Sequence, residues 1–454
     1  MTKLHFRQAL LPTGWANNVR ITLDSVGNIA QIDTEIPGAS NGCLLPGMAN
    51  LHSHAHQRAM AGLAERAGST DDSFWTWRTL MYQFLAAIRP EHLHVIAAQL
   101  YIEMLKAGYT RVAEFQYLHH QPNGQPYDNP AEMSLQTLAA AREVGIGITN
   151  LPVHYQFGGF GEQALGEQQR RFANDPELFL QMIAALKQAS ADDANVVTGM
   201  AAHSLRAASK QSLGRILEAM QADDTLPVHI HIAEQTKEVD DCVDWSGARP
   251  VEYLMEHFAV DEHWCLIHAT HMTNAETRAV ADSGAVVGLC PATEGNLGDG
   301  FFNAVEYLEH GGRFGIGSDS HISVSPAEEL RWLEYGQRLL HRSRNVLAGG
   351  YQCSTGRNLF DKAVGGGAQA CGHNSGAIAV GKRADFVVLD TDHPLLCERE
   401  GDELLDSWIF SGNSSVVRDV YVGGKPVIRQ GEHVQEVEIT SRFKAVLREL
   451  RAAG

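Results

Sequence analysis

The chain lacks several features that would assign it to a common class of protein. None of its apolar runs approaches the roughly 18 residues needed to span a bilayer. Its first residues contain no apolar core of a signal peptide. Its seven cysteines are an odd number, widely scattered, and include no Cys-x-x-Cys pair, which argues against a disulfide framework and a structural zinc knuckle. We therefore expect a cytoplasmic protein with reduced thiols.

Basic residues are also few. Lysine and arginine number 36 against 54 aspartate and glutamate residues, so the formal net charge is −18. Such a surface repels nucleic acid and anionic membranes, and we expect neither as a partner. A small anionic substrate would also be repelled at long range, so its site must contain locally concentrated arginines. We expect a homodimer as the assembly.

A local unit recurs along the chain, in which a helical stretch ends at glycine and a short apolar strand follows. The glycines are Gly108, Gly145, Gly284 and Gly311. Glycine after the last turn indicates a helix C-cap, because it adopts the left-handed conformation without strain. Near-continuous apolar strands are typical of a parallel sheet that is covered on both faces.

Eight strands of this kind are predicted. They lie near residues 47–54, 110–116, 146–153, 196–203, 227–232, 264–269, 285–290 and 313–318. Eight strand–helix units predict an α/β fold, a (β/α)8 TIM barrel over residues 47–374, whose chemistry lies at the C-terminal ends of the strands. A doubly wound open sheet is the alternative, but no Gly-x-Gly-x-x-Gly follows the first strand.

The two ends of the chain differ from its middle. Residues 1–46 contain short β segments, and residues 375–435 contain apolar runs with a Gly-Gly hairpin signal between two of them. Neither end can bury a core alone, so we predict that they combine into a small β-sandwich domain beside the barrel. A C-terminal helix is predicted over residues 438–454, with Thr440 or Ser441 as its N-cap.

Three histidines, His52, His54 and His56, lie two residues apart at the end of the first predicted strand. Side chains two apart on a strand point to the same side, so a His-x-His pair presents two imidazoles to one metal ion. Imidazole suits zinc and other late transition metals. Spacing alone permits either His52 with His54 or His54 with His56. A histidine-rich surface turn is the alternative.

Polar residues end three further predicted strands. The fifth strand carries His231 and leads into Glu234, the sixth ends at His268, and the eighth ends at Asp319. Imidazoles and carboxylates in nearly dry apolar strands are unfavourable unless they bind a metal or one another. One such histidine would be a hydrogen-bonded core residue, but four strands that all end in this way indicate a metal site.

These residues, in this order, resemble the amidohydrolase superfamily, and within it the deaminase branch that holds one metal ion. The resemblance covers nearly the whole chain. It implies one zinc ion per chain, coordinated by His52, His54, His231 and Asp319. It also selects the register of the histidine triplet and leaves His56 as a packing or supporting residue. The two-metal branches use a carboxylated lysine or a glutamate on strand 3 or 4, and residues 148–156 and 196–206 contain neither residue type.

The resemblance also implies roles for the catalytic residues. A divalent ion lowers the pKa of a bound water toward about 7. Asp319 would accept a proton as water attacks, Glu234 would pass a proton to the departing ammonia, and His268 would donate a hydrogen bond to the tetrahedral centre. The alternative for Glu234 is a first-turn helix residue that the helix dipole favours.

Several longer runs resemble a narrower group, the enzymes that deiminate N-formimino-L-glutamate in histidine breakdown. The runs are residues 50–54, 57–63, 72–78, 203–206 and 329–335. The resemblance implies hydrolysis of this amidine to N-formyl-L-glutamate and ammonia. The rival functions are a deaminase of a purine or an S-adenosyl compound, whose pocket would need stacking and base-edge contacts, and a metal-binding scaffold without catalysis.

A dicarboxylic substrate agrees with two arginines of the chain. A planar guanidinium can bind a carboxylate through two parallel hydrogen bonds. Arg78 follows the first predicted strand and Arg206 ends the fourth, so both can reach a ligand at the mouth of the barrel. The resemblance suggests that Gln57, Tyr117 and His203 complete the pocket. Surface salt bridges are the alternative for the two arginines.

Overall fold

The computed structural model describes residues 2–38, 42–65, 74–223 and 225–453. Its strands are β1 Thr2–Leu11, β2 Gly14–Leu23, β3 Ile29–Asp33, β4 Cys43–Pro46, β5 Met48–Ser53, β6 Tyr109–Gln116, β7 Gly147–His154, β8 Val196–Thr198, β9 Met200–Ala202, β10 Val228–Ile232, β11 Trp264–His268, β12 Val286–Leu289, β13 Arg313–Ile316, β14 Phe386–Leu389, β15 Val417–Val422 and β16 Lys425–Ile428. Its α-helices are α1 Phe74–Leu85, α2 Pro90–Ala107, α3 Glu132–Val144, α4 Pro176–Ser190, α5 Lys210–Met220, α6 Thr236–Ser246, α7 Pro250–His257, α8 Asn274–Ser283, α9 Pro291–Leu297, α10 Ala304–Glu309, α11 Pro326–His341, α12 Thr355–Ala370, α13 Asp402–Phe410 and α14 Glu436–Ala453. Short 3-10 helices span Ala55–Met60 and Glu167–Gln169. Among the described residues, no helix is both long enough and apolar enough to cross a membrane.

The middle of the chain forms a closed parallel barrel. The strands follow one another in the order β5, β6, β7, β9, β10, β11, β12 and β13, and β13 pairs with β5 to close the ring. β8 and β9 are two halves of one strand, and both pair with β7. Gly199 separates them, where an added Cβ would lie 2.8 Å from the carbonyl oxygen of Pro227. The predicted barrel is confirmed, and the open sheet is excluded.

The glycines that follow the predicted helices end those helices in the structure. Gly108, Gly145 and Gly284 follow α2, α3 and α8 with φ of 107°, 82° and 79°. Gly311, just after α10, has φ of 75°. Every residue of β6 and β7 is buried. These strands are thus covered on both faces, as their apolar sequences predict.

Both ends of the chain join in a second sheet. In the described part of the chain its strand order is β16, β15, β14, β4, β1, β2, β3, and all pairs are antiparallel except β1 with β4. The sheet has an apolar core of its own, which includes Phe6, Leu44 and Phe386. Gly423 and Gly424 join β15 to β16 with φ of 54° and 74°, the positive values that a type I′ hairpin turn requires. Strands from both chain ends therefore combine outside the barrel, as predicted, but they form one continuous sheet where the prediction had a sandwich.

The C-terminal helix α14 packs against α2. Nζ of Lys106 lies 2.5 Å from Oε1 of Glu436, and the hydroxyl of Thr440 donates to Oε1 of Gln99 at 3.0 Å. The predicted N-cap at Thr440 or Ser441 is wrong, because the helix already begins at Glu436. The Thr440 hydroxyl therefore binds a neighbouring helix instead of capping its own.

Glycine on α12 allows this helix to touch β13. A Cβ added at Gly366 would lie 2.0 Å from the carbonyl oxygen of Phe314, whereas a Cβ at Gly365 would meet nothing within 4 Å. We expect Gly366→Ala to lower the free energy of unfolding by about 3 kcal/mol, as strong overpacking does. The matched variant Gly365→Ala should raise it by about 0.5–1 kcal/mol, because alanine favours a helix. Denaturant unfolding of both variants measures the difference, and equal effects would contradict this account of the packing.

Candidate metal centre and substrate pocket

The four predicted metal ligands meet at the C-terminal mouth of the barrel. His52 lies in β5 with His54 directly after that strand, His231 lies in β10, and Asp319 follows β13. The Nε2 atoms of His52 and His231 are 3.0 Å apart. Oδ1 of Asp319 lies 3.4 Å from Nε2 of His52 and 3.3 Å from Nε2 of His54. All four residues are buried, so the strands bring them together away from solvent.

The outer nitrogens of two of these histidines face backbone carbonyl oxygens. Nδ1 of His54 lies 3.0 Å from the oxygen of Phe115, and Nδ1 of His231 lies 2.8 Å from that of His203. A carbonyl only accepts, so each Nδ1 carries the hydrogen and each Nε2 presents a lone pair. Burial lowers the pKa of His52, His54 and His231 and keeps these rings neutral.

This donor set fits a divalent metal ion. Neutral imidazole nitrogens and a carboxylate oxygen are ligands that zinc takes, and two such atoms bound to one ion at about 2.0–2.1 Å lie about 3.4 Å apart in a tetrahedron. The separations of 3.0, 3.4 and 3.3 Å agree with that spacing. Buried lone pairs that face a carboxylate oxygen are unfavourable without a cation between them. Metal binding therefore accounts for the arrangement.

Close packing of β13 on β5 keeps the ligands in register. A Cβ at Gly317 would lie 2.7 Å from the Cβ of His52, so only glycine fits there. The backbone N–H of Asp319 donates to the carbonyl of His52 at 3.0 Å, and the backbone N–H of His54 donates to the carbonyl of Asp319 at 3.3 Å. Two adjacent strands thus hold three of the four ligands through their backbones.

The backbone is strained where the strands end. Ala233, His268, Ala269, Asp319 and His321 have φ of 50°, 67°, 49°, 45° and 60°. Residues other than glycine rarely adopt this region, and such strain persists only where the surrounding structure imposes it. It clusters at functional sites, and these five residues each lie at or just after a barrel strand.

The predicted catalytic pair lies beside the ligands. Nε2 of His268 is 3.8 Å from Oε1 of Glu234 and 3.7 Å from Oδ2 of Asp319, and its Nδ1 is 3.3 Å from Oε1 of Glu294. Burial raises the pKa of Glu234 to about 7. Burial acts to lower the pKa of His268, but the neighbouring carboxylates outweigh it and raise that pKa to about 10. Glu234 can therefore exchange a proton near neutral pH, while His268 keeps its proton and can donate a hydrogen bond.

Two acidic residues without a predicted role join this cluster. Glu294 contacts His268, and Asp299 follows α9, with carboxylate and ring atoms of Asp299, Glu234 and His268 all within 4.8 Å of one another. Gln235 donates to Oδ1 of Asp299, while Oδ2 has no hydrogen-bond partner among the described residues. Burial, and then the charge of Glu234, raise the pKa of Asp299 to about 9. The sequence gives no strand signal at Asp299, so it could not be assigned to the site.

Glu234 itself precedes a helix and does not belong to one. α6 begins at Thr236 and has Gln235 as its N-cap. The side chain of Glu234 is buried toward His268. The alternative of a first-turn residue stabilised by the helix dipole does not describe this position.

A buried hydrogen-bond network holds the end of β5 behind the metal ligands, and the sequence did not reveal this network. Glu114 accepts hydrogen bonds from the hydroxyl of Ser53 at 2.6 Å and from the backbone N–H of Ala55 at 2.7 Å. The ring of His321 accepts from the backbone N–H of His54 at 3.2 Å. Burial raises the pKa of Glu114 to about 7. The available sequence signal was Glu114 itself, a charged residue inside an apolar strand. Its hydrogen-bond partners are distant along the chain, so no spacing pattern connects them.

The predicted substrate residues line one cavity at the metal centre. The cavity contains His231, Glu234, His268 and Asp319 in its wall, together with Gln57, Arg78, Tyr117, His203 and Arg206. Arg206 is only 8% exposed, which is inconsistent with a surface salt bridge. Burial lowers the pKa of His203, and the charges of Arg206 and Arg78 lower it further, so both guanidinium groups act on this ring.

Aromatic residues that sequence reasoning missed surround Arg78. Its Nη2 donates to the hydroxyl of Tyr155 at 3.3 Å, and its guanidinium carbon lies 5.1 Å from the centre of the Tyr82 ring. Gln169 donates to the same Tyr155 hydroxyl at 2.8 Å. These contacts orient the guanidinium from one side. In the run 72–78 that resembles the deiminating enzymes, positions 72 and 73 lie outside the described residues.

His56 does not continue the strand that carries His52. β5 ends at Ser53 and a 3-10 helix follows, so the alternation that would aim His56 to the same side as His54 has already stopped. The interpretation that all three histidines share one face is therefore wrong. His56 is fully buried, and its Nε2 lies 3.0 Å from the hydroxyl of Tyr117.

Comparison with known proteins identifies the family of this chain. Residues 43–427 match the Amidohydrolase family, and residues 1–41 match the N-terminal domain of formimidoylglutamate deiminase HutF. The chain belongs to the amidohydrolase family. It is a homologue of formimidoylglutamate deiminase, since it is 54% identical over 454 residues to the enzyme of that name from Pseudomonas aeruginosa, with 99% of this chain and all of that protein covered.

Solved structures share the fold over the full length. An amidohydrolase from Brucella melitensis superposes with a TM-score of 0.94 at 49% identity, covering 99% of this chain and 100% of that one. An adenosine deaminase from Xanthomonas campestris, solved with bound zinc, has a TM-score of 0.82 at 20% identity, with 99% and 98% of the two chains covered. The second likeness concerns the fold alone.

Proposed function

We infer that the protein hydrolyses N-formimino-L-glutamate to N-formyl-L-glutamate and ammonia, a reaction of histidine breakdown. The observation that carries this proposal is one cavity that joins a buried His, Asp and Glu cluster to two arginines. The substrate has the matching pattern, because one end is an amidine and the other carries two carboxylates. Similarity over the full length to a formimidoylglutamate deiminase supports the same reaction.

A divalent metal ion belongs to this reaction, and we propose zinc, one ion per chain. The residues that would hold it are His52, His54, His231 and Asp319. When bound, the ion lowers the pKa of water toward about 7 and so supplies a nucleophile at neutral pH. Iron and manganese are the alternatives, because imidazole and carboxylate ligands suit them as well.

The protein's own side chains would move the protons. Asp319 would accept a proton from the attacking water, and Glu234 would donate one to the amidine nitrogen, which leaves as ammonia. His268, which nearby carboxylates hold in its charged form, would donate a hydrogen bond to the tetrahedral centre. The water oxygen stays on the carbon, the C–N bond breaks, and both water protons end on the departing nitrogen.

The two rival functions fit less well. A deaminase of a purine or an S-adenosyl compound would use the far end of its pocket for stacking and base-edge contacts, whereas Arg78 and Arg206 line it here and suit carboxylates. A scaffold without catalysis would have lost a ligand or the catalytic glutamate, and this chain retains all of them in buried positions.

A product assay tests the proposal. The purified protein, loaded with zinc, should release ammonia from N-formimino-L-glutamate at a rate equal to the formation of N-formyl-L-glutamate. Formamide is measured in parallel, because hydrolysis of the other C–N bond would yield it. Formamide as the nitrogen product would overturn the deiminase proposal, and so would faster turnover of adenosine under the same conditions.

Substitution of either arginine by alanine should reduce kcat/KM for this substrate by about 10- to 100-fold, because losing a hydrogen bond to a charged group costs about 1.5–3 kcal/mol. Steady-state kinetics of Arg78→Ala and Arg206→Ala measure this. The control is Arg278→Ala, which removes an arginine with a 53% exposed side chain on α8 and should have no effect. A change of only a few-fold in both pocket variants would show that they do not hold the carboxylates.

We also propose that the enzyme works in the cytoplasm as a homodimer. All seven cysteines are free in the structure, and five of them are buried, which supports a reducing compartment. The substrate is small and anionic, and the acidic surface gives no support for a nucleic-acid partner. Light scattering of the purified protein tests the assembly, and a monomer mass would overturn it.

A further inference from the structure

The hydroxyl of Tyr117 is the centre of a buried hydrogen-bond cluster in the wall of the cavity. Nε2 of Gln57 donates to its oxygen at 3.0 Å, and Nε2 of His56 lies 3.0 Å from the same oxygen. The rings of His56 and Tyr117 are perpendicular, with their centres 4.8 Å apart. The two residues are 0% and 3% exposed. Tyr117 lines the cavity and His56 lies behind it.

The surroundings of His56 determine which ring nitrogen carries hydrogen. Nδ1 is buried and has no hydrogen-bond partner within the described residues. A hydrogen on Nδ1 would therefore be a buried donor without an acceptor, and such N–H groups are rarer in proteins than acceptors without a donor. The hydrogen consequently belongs on Nε2, which then donates to the oxygen of Tyr117.

Two N–H groups, from Gln57 and His56, thus occupy both lone pairs of the Tyr117 oxygen. Its own hydrogen must point away from them, and it donates to Sδ of Met81 at 3.3 Å. A thioether is a weak acceptor, and hydrogen bonds received by a hydroxyl strengthen the one it donates. An anionic oxygen in the cavity would be a far better acceptor for this hydroxyl.

We propose that His56 is a positioning residue that orients the Tyr117 hydroxyl toward a carboxylate of the substrate. The proposal rests on the proposed function, because it takes the ligand to be a dicarboxylate. It gives the third histidine of the triplet a role in substrate binding, exerted through Tyr117 without contact to the substrate.

A double-mutant cycle tests the proposal. His56→Phe keeps a flat ring and removes the N–H, and we expect it to lower kcat/KM about tenfold, mostly through KM, as the loss of a hydrogen bond to a charged group does. Tyr117→Phe should have a similar effect. The double variant should be no worse than Tyr117→Phe alone, because both changes remove the same interaction. Losses that multiply would overturn the proposal.

A conservative variant and a spectroscopic measurement separate this role from a structural one. His56→Gln retains an N–H group and should recover part of the lost activity, while zinc content and thermal midpoint stay equal in all variants. Nitrogen-15 NMR, with His56→Phe used for assignment, should show hydrogen on Nε2 of His56. Hydrogen on Nδ1 would overturn the proposal for His56. Failure of the wild-type protein to release ammonia would instead reject the proposed function, so the two failures are distinguishable.

Discussion

Replacing Glu234 with glutamine should lower kcat by about 10³-fold, in the range that a positioned general acid or base contributes. Glutamine keeps the size and the polarity of the side chain but carries no proton that it can transfer. Burial raises the pKa of Glu234 to about 7, although the charge of His268 acts to lower it, so the wild-type carboxyl can give up a proton at neutral pH. Ammonia release under saturating substrate measures the loss.

The variant should keep its metal and its substrate affinity, because Glu234 is not among the four proposed ligands. Metal analysis and KM therefore serve as internal checks. Glu309→Gln makes the same chemical change at an exposed position on α10 and should leave kcat unchanged. If Glu234→Gln retained more than about a tenth of the activity, the proton transfer would have to be assigned to another group, and Asp299 would be the first to consider.

The meeting of the candidate metal ligands and catalytic residues at one rim could be predicted because the barrel is a regular structure. A strand aims alternate side chains to one side, and parallel strands bring their C-terminal ends to one rim. His231, His268 and Asp319 each end an apolar strand, so their meeting follows from the strand pattern without any knowledge of contacts. The same regularity applies to the glycine C-caps, since a local backbone requirement selects the residue.

The features that the sequence did not predict lie where the regular secondary structure ends or where distant residues come into contact. His56 is two residues beyond His54, but the chain leaves the strand at Ser53, and no spacing rule reports that change. Glu114 and Ser53 are 61 residues apart, and His321 and His54 are 267 residues apart. Such buried networks exist only after the barrel has closed, so a linear pattern does not contain them.

For the charged residues, part of the account comes from the sequence and part only from the structure. A net charge of −18 predicts that an anionic substrate needs a local cluster of arginines. The structure adds that Arg206 is buried and that Tyr155 and Tyr82 orient Arg78. The sequence thus indicates the residue type, and the aromatic wall that controls its direction becomes visible only in the fold.

Replacing His231 with alanine should remove the metal ion and reduce activity by at least about 10³-fold. The Nε2 of His231 lies 3.0 Å from that of His52, and the carbonyl of His203 fixes its Nδ1, so the ring is oriented as a ligand and alanine removes one donor from the site. Metal analysis of the purified variant and ammonia release measure the two losses. Added zinc should restore chelator-treated wild-type protein and fail to restore this variant.

A neighbouring histidine provides the matched control. His229 lies in the same strand β10 and is fully buried, but its Nε2 faces the carbonyl of Ala370 at 2.8 Å, and burial lowers its pKa to about 4. His229→Asn should lose stability yet bind about as much zinc as the wild type.

The wild type should gain about 2.7 kcal/mol of stability when free zinc is 100 times its dissociation constant, because the ion binds only the folded state. His231→Ala should show no such gain, and a zinc-dependent rise in its thermal midpoint equal to that of His229→Asn would remove His231 from the ligand set.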